Sequence, residues 1–249
     1  MKFWFHIHPS RMEAMSLLKR AETFLESHAC ARAERPDEAD FTVAIGGDGT
    51  VIAASRLSRK PIIGINAGTL GYLPKIEPDT LEESLMRIIT GDYMLENRMT
   101  LSVSGTGFKH QTALNDASIL TPGAGVIRFT VNVDGVPLMR YVADGIIAAT
   151  PTGSTGYSLS AGGPIVDPVS QAITLTPVAP HTLVSRAIIL SPESRISIEC
   201  ENRSFLSVDG NKTEVDPGSV INIMRADETV KFVSFGRESF IERLRKKLS

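Results

Sequence analysis

Gly46-Gly47-Asp48-Gly49-Thr50 combines features that phosphate chemistry asks for. Glycines let backbone N–H groups approach an anion closely, and a helix starting behind them adds partial positive charge. No Gly-Lys pair occurs in the chain, so this is not a Walker loop, and Gly47-Asp48-Gly49 lacks the third glycine of a dinucleotide fingerprint. A carboxylate at the centre of the loop sets it apart from a bare phosphate cradle. An acid beside phosphates is repelled unless it binds Mg²⁺ or takes up a proton. Asp48 is therefore a candidate catalyst, set against the plainer reading of an Asp that merely occupies a turn between glycines.

A second stretch, Asp144 to Pro164, carries no charge after Asp144 but is crowded with hydroxyls and glycines around Tyr157. Such a surface suits a polar ligand held by backbone amides, hydroxyls and a stacking ring. The spacing predicts a long polar segment without regular structure, which is uncommon in a compact domain unless it is functional. Asn66-Ala67-Gly68-Thr69-Leu70-Gly71-Tyr72 and Asn115-Asp116 are smaller candidates, the latter able to hydrogen-bond a ribose or a base. His6 and His8, at i and i+2, have a metal-capable spacing; with no third ligand in view they read as packed or surface histidines.

The elements that must position these residues fall into two textures. Residues 1–97 alternate between strand and helix periodicity, as βα units around a mainly parallel sheet do. Strands are expected at Phe3 to His8, Phe41 to Ile45 and Pro61 to Ile65, and helices behind Met12, over Thr50 to Leu57, and from a cap at Asp79 to a stop at Gly91. On a parallel sheet the Asn66 and Asp48 loops emerge at the same edge, where open α/β sheets bind ligands. Beyond Asn97, short Val-, Ile- and Thr-rich runs separated by turn residues predict an antiparallel all-β domain, with an Asp134-Gly135 hairpin and later strands at Ile188, Ile196, Phe205, Val220 and Lys231 to Phe235.

The 249 residues, 42% hydrophobic and 22% charged with a net charge of −2, describe a soluble globular chain. The charge balance gives no reason to expect nucleic acid or an anionic membrane as partner. Two cysteines are too few for a disulfide framework, no apolar run approaches the ~20 residues of a membrane span, and the first residues lack the features of a signal peptide; the chain is read as complete and cytoplasmic. Arg243, Arg245, Lys246 and Lys247 end an amphipathic C-terminal helix and are read as favourable charges near its terminus.

The order GGDGT, NAGTLGYL, ND, DGIIAATPTGSTGYSLSAGGP and PVAPH closely resembles the NAD kinase family over about Phe41 to Asp209. GGDG alone would not distinguish it from diacylglycerol kinases or 6-phosphofructokinases. The resemblance implies phosphorylation of the adenosine ribose 2′-hydroxyl of NAD by ATP, or in some members polyphosphate, to give NADP, with Mg²⁺ or another divalent cation. It implies an α/β plus all-β fold class: an N-terminal Rossmann-like α/β domain, residues 1–97, and a C-terminal antiparallel β-sandwich domain, residues 98–236, with the site between them. The C-terminal helix, 237–249, is placed to pack back on the first domain. Family members usually form homodimers or homotetramers.

Carried over by the same resemblance, Asp48 matches the catalytic aspartate, with Gly46, Gly47, Gly49 and Thr50 in the phosphate loop. Asp48 and Gly49 also belong with the NAD-binding positions. Tyr72 takes the place of an aromatic residue near the nicotinamide end. Asn115 and Asp116 match a ribose- and base-binding pair whose second member is more often Glu. Asp144, Thr155, Gly156, Tyr157 and Ser160 match NAD-contacting positions, Asp209 a site-lining acid. Ala179 and His181 lie in a segment that can approach a neighbouring subunit's ligand. Three residues depart from the pattern: Gly156 where Ala is usual, Thr69 where Arg or His is frequent, and Ala187 where Pro is frequent.

Because no Lys or Arg lies inside the two glycine-rich motifs, the donor's charge must fall to Mg²⁺ and backbone dipoles. Two other readings stay open on the sequence. A lipid or sugar kinase would share the loop, and a catalytically silent NAD(P)-binding sensor would keep Asn115, Asp144 and Tyr157 without needing Asp48.

Overall fold

A computed structural model of the chain describes residues 1–8, 12–68, 71–123, 125–181, 186–236 and 240–248; Thr69 and Leu70 of the predicted Asn66 motif lie outside them. Two compact units result, residues 1–97 with 230–249, and residues 98–229.

The first unit is built on β1 (Lys2–Ile7), β2 (Ala31–Arg32), β3 (Phe41–Gly46), β4 (Ile62–Asn66) and β5 (Met94–Arg98), with α1 (Met12–Ser27), α2 (Asp48–Leu57) and α3 (Leu81–Ile89). Phe3, Val43, Ile45, Ile63 and Ile65 turn one face of the sheet toward Leu17, Ala21 and Leu25 of α1 and Leu81, Leu85 and Ile88 of α3, all buried. Thr42, on the opposite face of β3, donates its Oγ1–H to Ser58 Oγ (2.6 Å) just beyond α2, placing that helix on the other side. Strands β1, β3 and β4 run parallel, and Gly46 lies opposite Asn66, so the two loops leave at one edge. The expected cap at Asp79 is absent: Pro78–Thr80 forms a 3₁₀ turn and Thr80 precedes α3 without a side-chain cap bond. Pro78 presets that turn through its fixed φ. Gly91 stops α3 at φ +80°, with Asp92 N–H donating to Arg87 C=O (2.8 Å).

The second unit holds two antiparallel sheets. One has the order β10 (Val136–Ala143), β9 (Ile127–Val133), β14 (Ile196–Cys200), β17 (Val220–Arg225), β6 (Leu101–Gly105), β7 (Gln111–Ala113). The other runs β13 (Ile188–Leu190), β12 (Ile173–Val178), β11 (Gly145–Ala149), β8 (Asp116–Leu120), β15 (Ser204–Val208), β16 (Asn211–Val215). Alternate residues of both, among them Phe129, Ile198 and Ile221 against Ile119, Ile146 and Leu175, form one apolar core, the section of a β-sandwich. The β9–β10 hairpin turns through Asp134 (φ +53°) and Gly135 (φ +79°), the two positive dihedrals of a type I′ turn.

Two expectations need correction. The segment 144–164 is not irregular: Gly145–Ala149 is a fully buried central strand, followed by a 3₁₀ turn (Thr152–Thr155) and the single-turn α4 (Tyr157–Ser160). Its Gly-Ile-Ile-Ala-Ala run is apolar enough to sit inside a sheet. The expected last strand of the all-β domain instead belongs to the first unit: β18 (Val230–Ser234) pairs in parallel with β4, Phe232 opposite Ile62. There it lies between β4 and β5 and buries Phe232 and Val233 to 2% exposure. The chain then ends in α5 (Phe240–Leu248), also in the first unit.

Candidate active site

In the first unit the glycine loop runs from the end of β3 into α2, with Gly47 at the N-cap and Asp48 as the first helical residue. A side chain at Gly46 would meet Thr50 Oγ1 at 2.2 Å, whereas Gly47 and Gly49 have nothing within 4 Å of an added Cβ. The loop is closed on the Thr50 side and open at Gly47 and Gly49. Asp48 Oδ1 accepts the Leu73 N–H (2.8 Å) and Oδ2 the Tyr72 N–H (3.2 Å). Each oxygen keeps a lone pair beyond these bonds. Burial first, and then the Asp48 charge, push the Tyr72 phenol above its usual pKa, so it stays protonated.

The turn after Tyr72 folds back on β4. Lys75 and Ile76 donate N–H groups to Gly64 C=O, each at 3.0 Å, and a Cβ on Gly64 would stand 2.9 Å from Pro74 Cα. Asn66, 4% exposed, donates Nδ2–H to Glu77 Oε2 (2.9 Å). Arg243 of α5, also 4% exposed, donates to the C=O groups of Pro74 and, at 3.4 Å, Gly71. Arg243 is therefore not one of the terminal surface charges the sequence reading made it. It lies three residues after Phe240, on the apolar stripe, which is the signal that reading passed over.

In the second unit, Asp209 (φ +47°) accepts the backbone N–H groups of Leu114 (2.7 Å), Asn115 (2.8 Å) and Asp116 (3.1 Å). Asp116 is buried, and burial together with the nearby Asp209 charge raises its pKa to about 7. Asn115 Oδ1 is buried without a protein hydrogen-bond partner. Thr150 locks the next turn on, its Oγ1–H donating to Leu114 C=O (2.6 Å) and its N–H to Asn115 C=O (2.8 Å). The hydroxyls then divide. Ser154 and Ser158 are fully buried and bonded internally, while Thr155 and Gly156 are partly exposed and Tyr157 and Ser160 exposed.

Asp144, Ala179 and His181 form a separate group. Asp144 N–H donates to Val178 C=O (3.0 Å), His181 N–H donates to Val142 C=O (2.8 Å), and Ala179 has φ +43°. The five-residue strand β11 separates this group from Thr150 and the turn after it: the six steps from Asp144 to Thr150, at ~3.3 Å each, span roughly 20 Å. His6 stacks on Trp4 (ring centroids 5.9 Å), and burial, then Arg56, lower its pKa, keeping it neutral. Among the described residues no three His, Cys, Asp or Glu side chains form a group able to hold a metal. Of these features, the Asp209 amide cluster and the bracing of the Tyr72 turn are the ones sequence reading missed. Asp209 lies 93 to 95 residues from its amides and Arg243 169 to 172 from the turn, so neither leaves a local pattern.

An open glycine loop with a carboxylate at a helix N-terminus, on a parallel sheet, in a chain that also builds a β-sandwich unit, is an arrangement suited to a two-unit phosphotransferase. The family model described as the ATP-NAD kinase N-terminal domain matches residues 4–93, and that of the ATP-NAD kinase C-terminal domain residues 114–235. The chain belongs to the NAD kinase family and is an enzyme that phosphorylates NAD. It is 39% identical over 228 residues to the NAD kinase of Carboxydothermus hydrogenoformans, covering 86% of this chain and 81% of that one. With the NAD kinase of Chlorobaculum tepidum it shares 34% over 274 residues, 100% of this chain and 96% of the relative. An NAD kinase from Archaeoglobus fulgidus, solved in complex with ATP, superposes with a TM-score of 0.84 at 29% identity, covering 100% of this chain and 97% of the other. A yeast NADH kinase complexed with NADH has the same fold, with a TM-score of 0.92 at 24% identity over 100% and 87% of the two chains. No described helix is long and apolar enough to cross a membrane.

Proposed function

We propose that the chain transfers the terminal phosphoryl group of ATP to the adenosine ribose 2′-hydroxyl of NAD, giving NADP, and that Asp48 receives the hydroxyl proton. The observation that carries this is the Asp48 carboxylate, held by two backbone N–H groups at the first position of α2 with lone pairs to spare. Phosphoryl transfer needs alignment, charge neutralisation and a proton acceptor rather than covalent work by the protein. The amides of Gly46, Gly47 and Gly49 and the N-terminus of α2 bind donor phosphates, with Thr50 closing the loop behind them. ATP is favoured as donor by the Archaeoglobus fulgidus relative; polyphosphate is the alternative that the same loop would accept.

In the second unit, Asn115 Oδ1 accepts from the adenosine moiety, and Asp116, neutral below about pH 7, donates to it. Thr155, Gly156, Tyr157 and Ser160 line the dinucleotide, and Asp209 fixes the strand start that carries Asn115. Asp48, Gly49 and Tyr72 complete the NAD-binding set from the first unit. Mg²⁺ would be carried mainly by the donor phosphates and would neutralise their charge when bound. We place the reaction in the cytoplasm, in keeping with Cys30 and Cys200, both free and buried. We also assign Asp144, Ala179 and His181 to the ligand of a neighbouring subunit in a homodimer or homotetramer, since β11 sets them apart from Asn115.

The purified protein with NAD, Mg²⁺ and either ATP or polyphosphate tests the reaction, the product being read by ³¹P NMR. A 2′-phosphomonoester that disappears with EDTA is expected. Product carrying phosphate elsewhere, or none from either donor, overturns the assignment.

A further inference from the structure

We propose that Arg243, in the C-terminal helix, is a positioning residue for phosphoryl transfer that holds the Gly71–Pro74 turn against Asp48. The proposal rests on the reading of Asp48 as the proton acceptor. The peptide between Gly71 and Tyr72 is bonded at both ends: its carbonyl accepts from Arg243 Nη1 (3.4 Å) and its N–H donates to Asp48 Oδ2 (3.2 Å). Cation, peptide and carboxylate thus form one chain of hydrogen bonds in which each bond polarises the next. Arg243 Nη1 also bonds Pro74 C=O, and Leu73 N–H bonds Asp48 Oδ1, so the same turn is held through carbonyls on one side and amides on the other. Lys247, one helical turn further on, places its ammonium 5.6 Å from the centre of the Tyr72 ring.

A guanidinium is costly to bury and is retained where its N–H groups are spent on specific acceptors. Arg243 is 4% exposed, and its Nη1 donates to two carbonyls of this turn. The turn packs directly against the carboxylate: a Cβ on Gly71 would lie 2.5 Å from Asp48 Oδ1. Misplacement of a reacting group by about 1 Å costs on the order of 10²-fold in rate. The last nine-residue helix therefore acts on a residue at the other end of the chain's sequence.

The test is steady-state kinetics of Arg243→Met, Arg243→Lys, Asp48→Asn and the Arg243→Met/Asp48→Asn pair, each normalised to folded protein by circular dichroism. Arg243→Met is expected to lower kcat by about 10- to 100-fold while KM for NAD and ATP stays within about threefold, and Arg243→Lys to recover part of kcat. The double variant should lose no more than Asp48→Asn alone, since both changes break one chain of bonds. A folded Arg243→Met with kcat within about twofold of the parent, or losses that multiply in the double variant, overturn the proposal. If Arg243→Met does not fold, Arg243→Lys decides: a kcat about three- to tenfold lower at unchanged KM supports positioning, and an unchanged kcat overturns it. Failure of the Asp48 reading looks different: Asp48→Asn itself would stay within about tenfold of the parent.

Discussion

Asp209 and Asp116 are two carboxylates on neighbouring backbone with opposite environments. Asp209 receives three N–H groups, and Asp116 is buried beside the resulting charge, which with burial lifts its pKa from 3.8 to about 7. An acid whose folded pKa is raised stabilises the fold below its unfolded pKa, and that contribution is lost as pH rises through the folded value. Stability should therefore fall between about pH 4 and pH 7, and Asp116→Asn should flatten that fall in chemical denaturation series. Asp209→Ala leaves three amides without their acceptor and should cost about 1–3 kcal/mol while raising KM for NAD. A Cβ at Gly156 would sit 3.3 Å from Gly153 C=O and 3.5 Å from Asn115 Nδ2, so Gly156→Ala should keep the fold and change stability by under about 1 kcal/mol. The strand-to-helix turn at Asp48 was legible in the sequence because the loop is local. Asp209's task was not, because it depends on a left-handed backbone and on amides more than ninety residues away.

The elements followed from periodicity wherever one face of them is apolar. Phe41–Gly46 and Ile62–Asn66 are short buried runs bounded by glycine or loop signals, and α3 carries Leu81, Leu85 and Ile88 on one stripe. Connection was harder to read than type: Val230–Ser234 has the same pattern as its sandwich neighbours, but it inserts between β4 and β5 of the first sheet. Strand β11 was hidden for a related reason, its five apolar residues lying inside a polar, glycine-rich context. The turn from Gly71 to Pro74 is the element on which the mechanism leans most. Gly71→Ala would drive a methyl group into Asp48 Oδ1 and Pro74, and should lower kcat by about tenfold or more with a smaller change in KM, as measured in initial-rate assays.

At the scale of the whole molecule, the chain leaves the first unit at Asn97, builds the sandwich, and returns at Val230 to finish the sheet and brace the turn beside Asp48. Assigning Asp144, Ala179 and His181 to a neighbour's ligand predicts complementation. Asp144→Ala and Asp48→Asn chains, each inactive alone, should regain about a quarter of parental activity when refolded together, as one intact site forms per mixed pair. Absence of recovery in mixed oligomers verified by mass spectrometry would contradict that assignment.

The most direct test of the Asp48 role is single-turnover transfer from γ-labelled ATP to NAD by the parent and Asp48→Asn, with NAD binding measured alongside by calorimetry. A rate at least ~10²-fold lower at nearly unchanged NAD affinity is expected. A variant that binds NAD and transfers phosphate within about tenfold of the parent would contradict it.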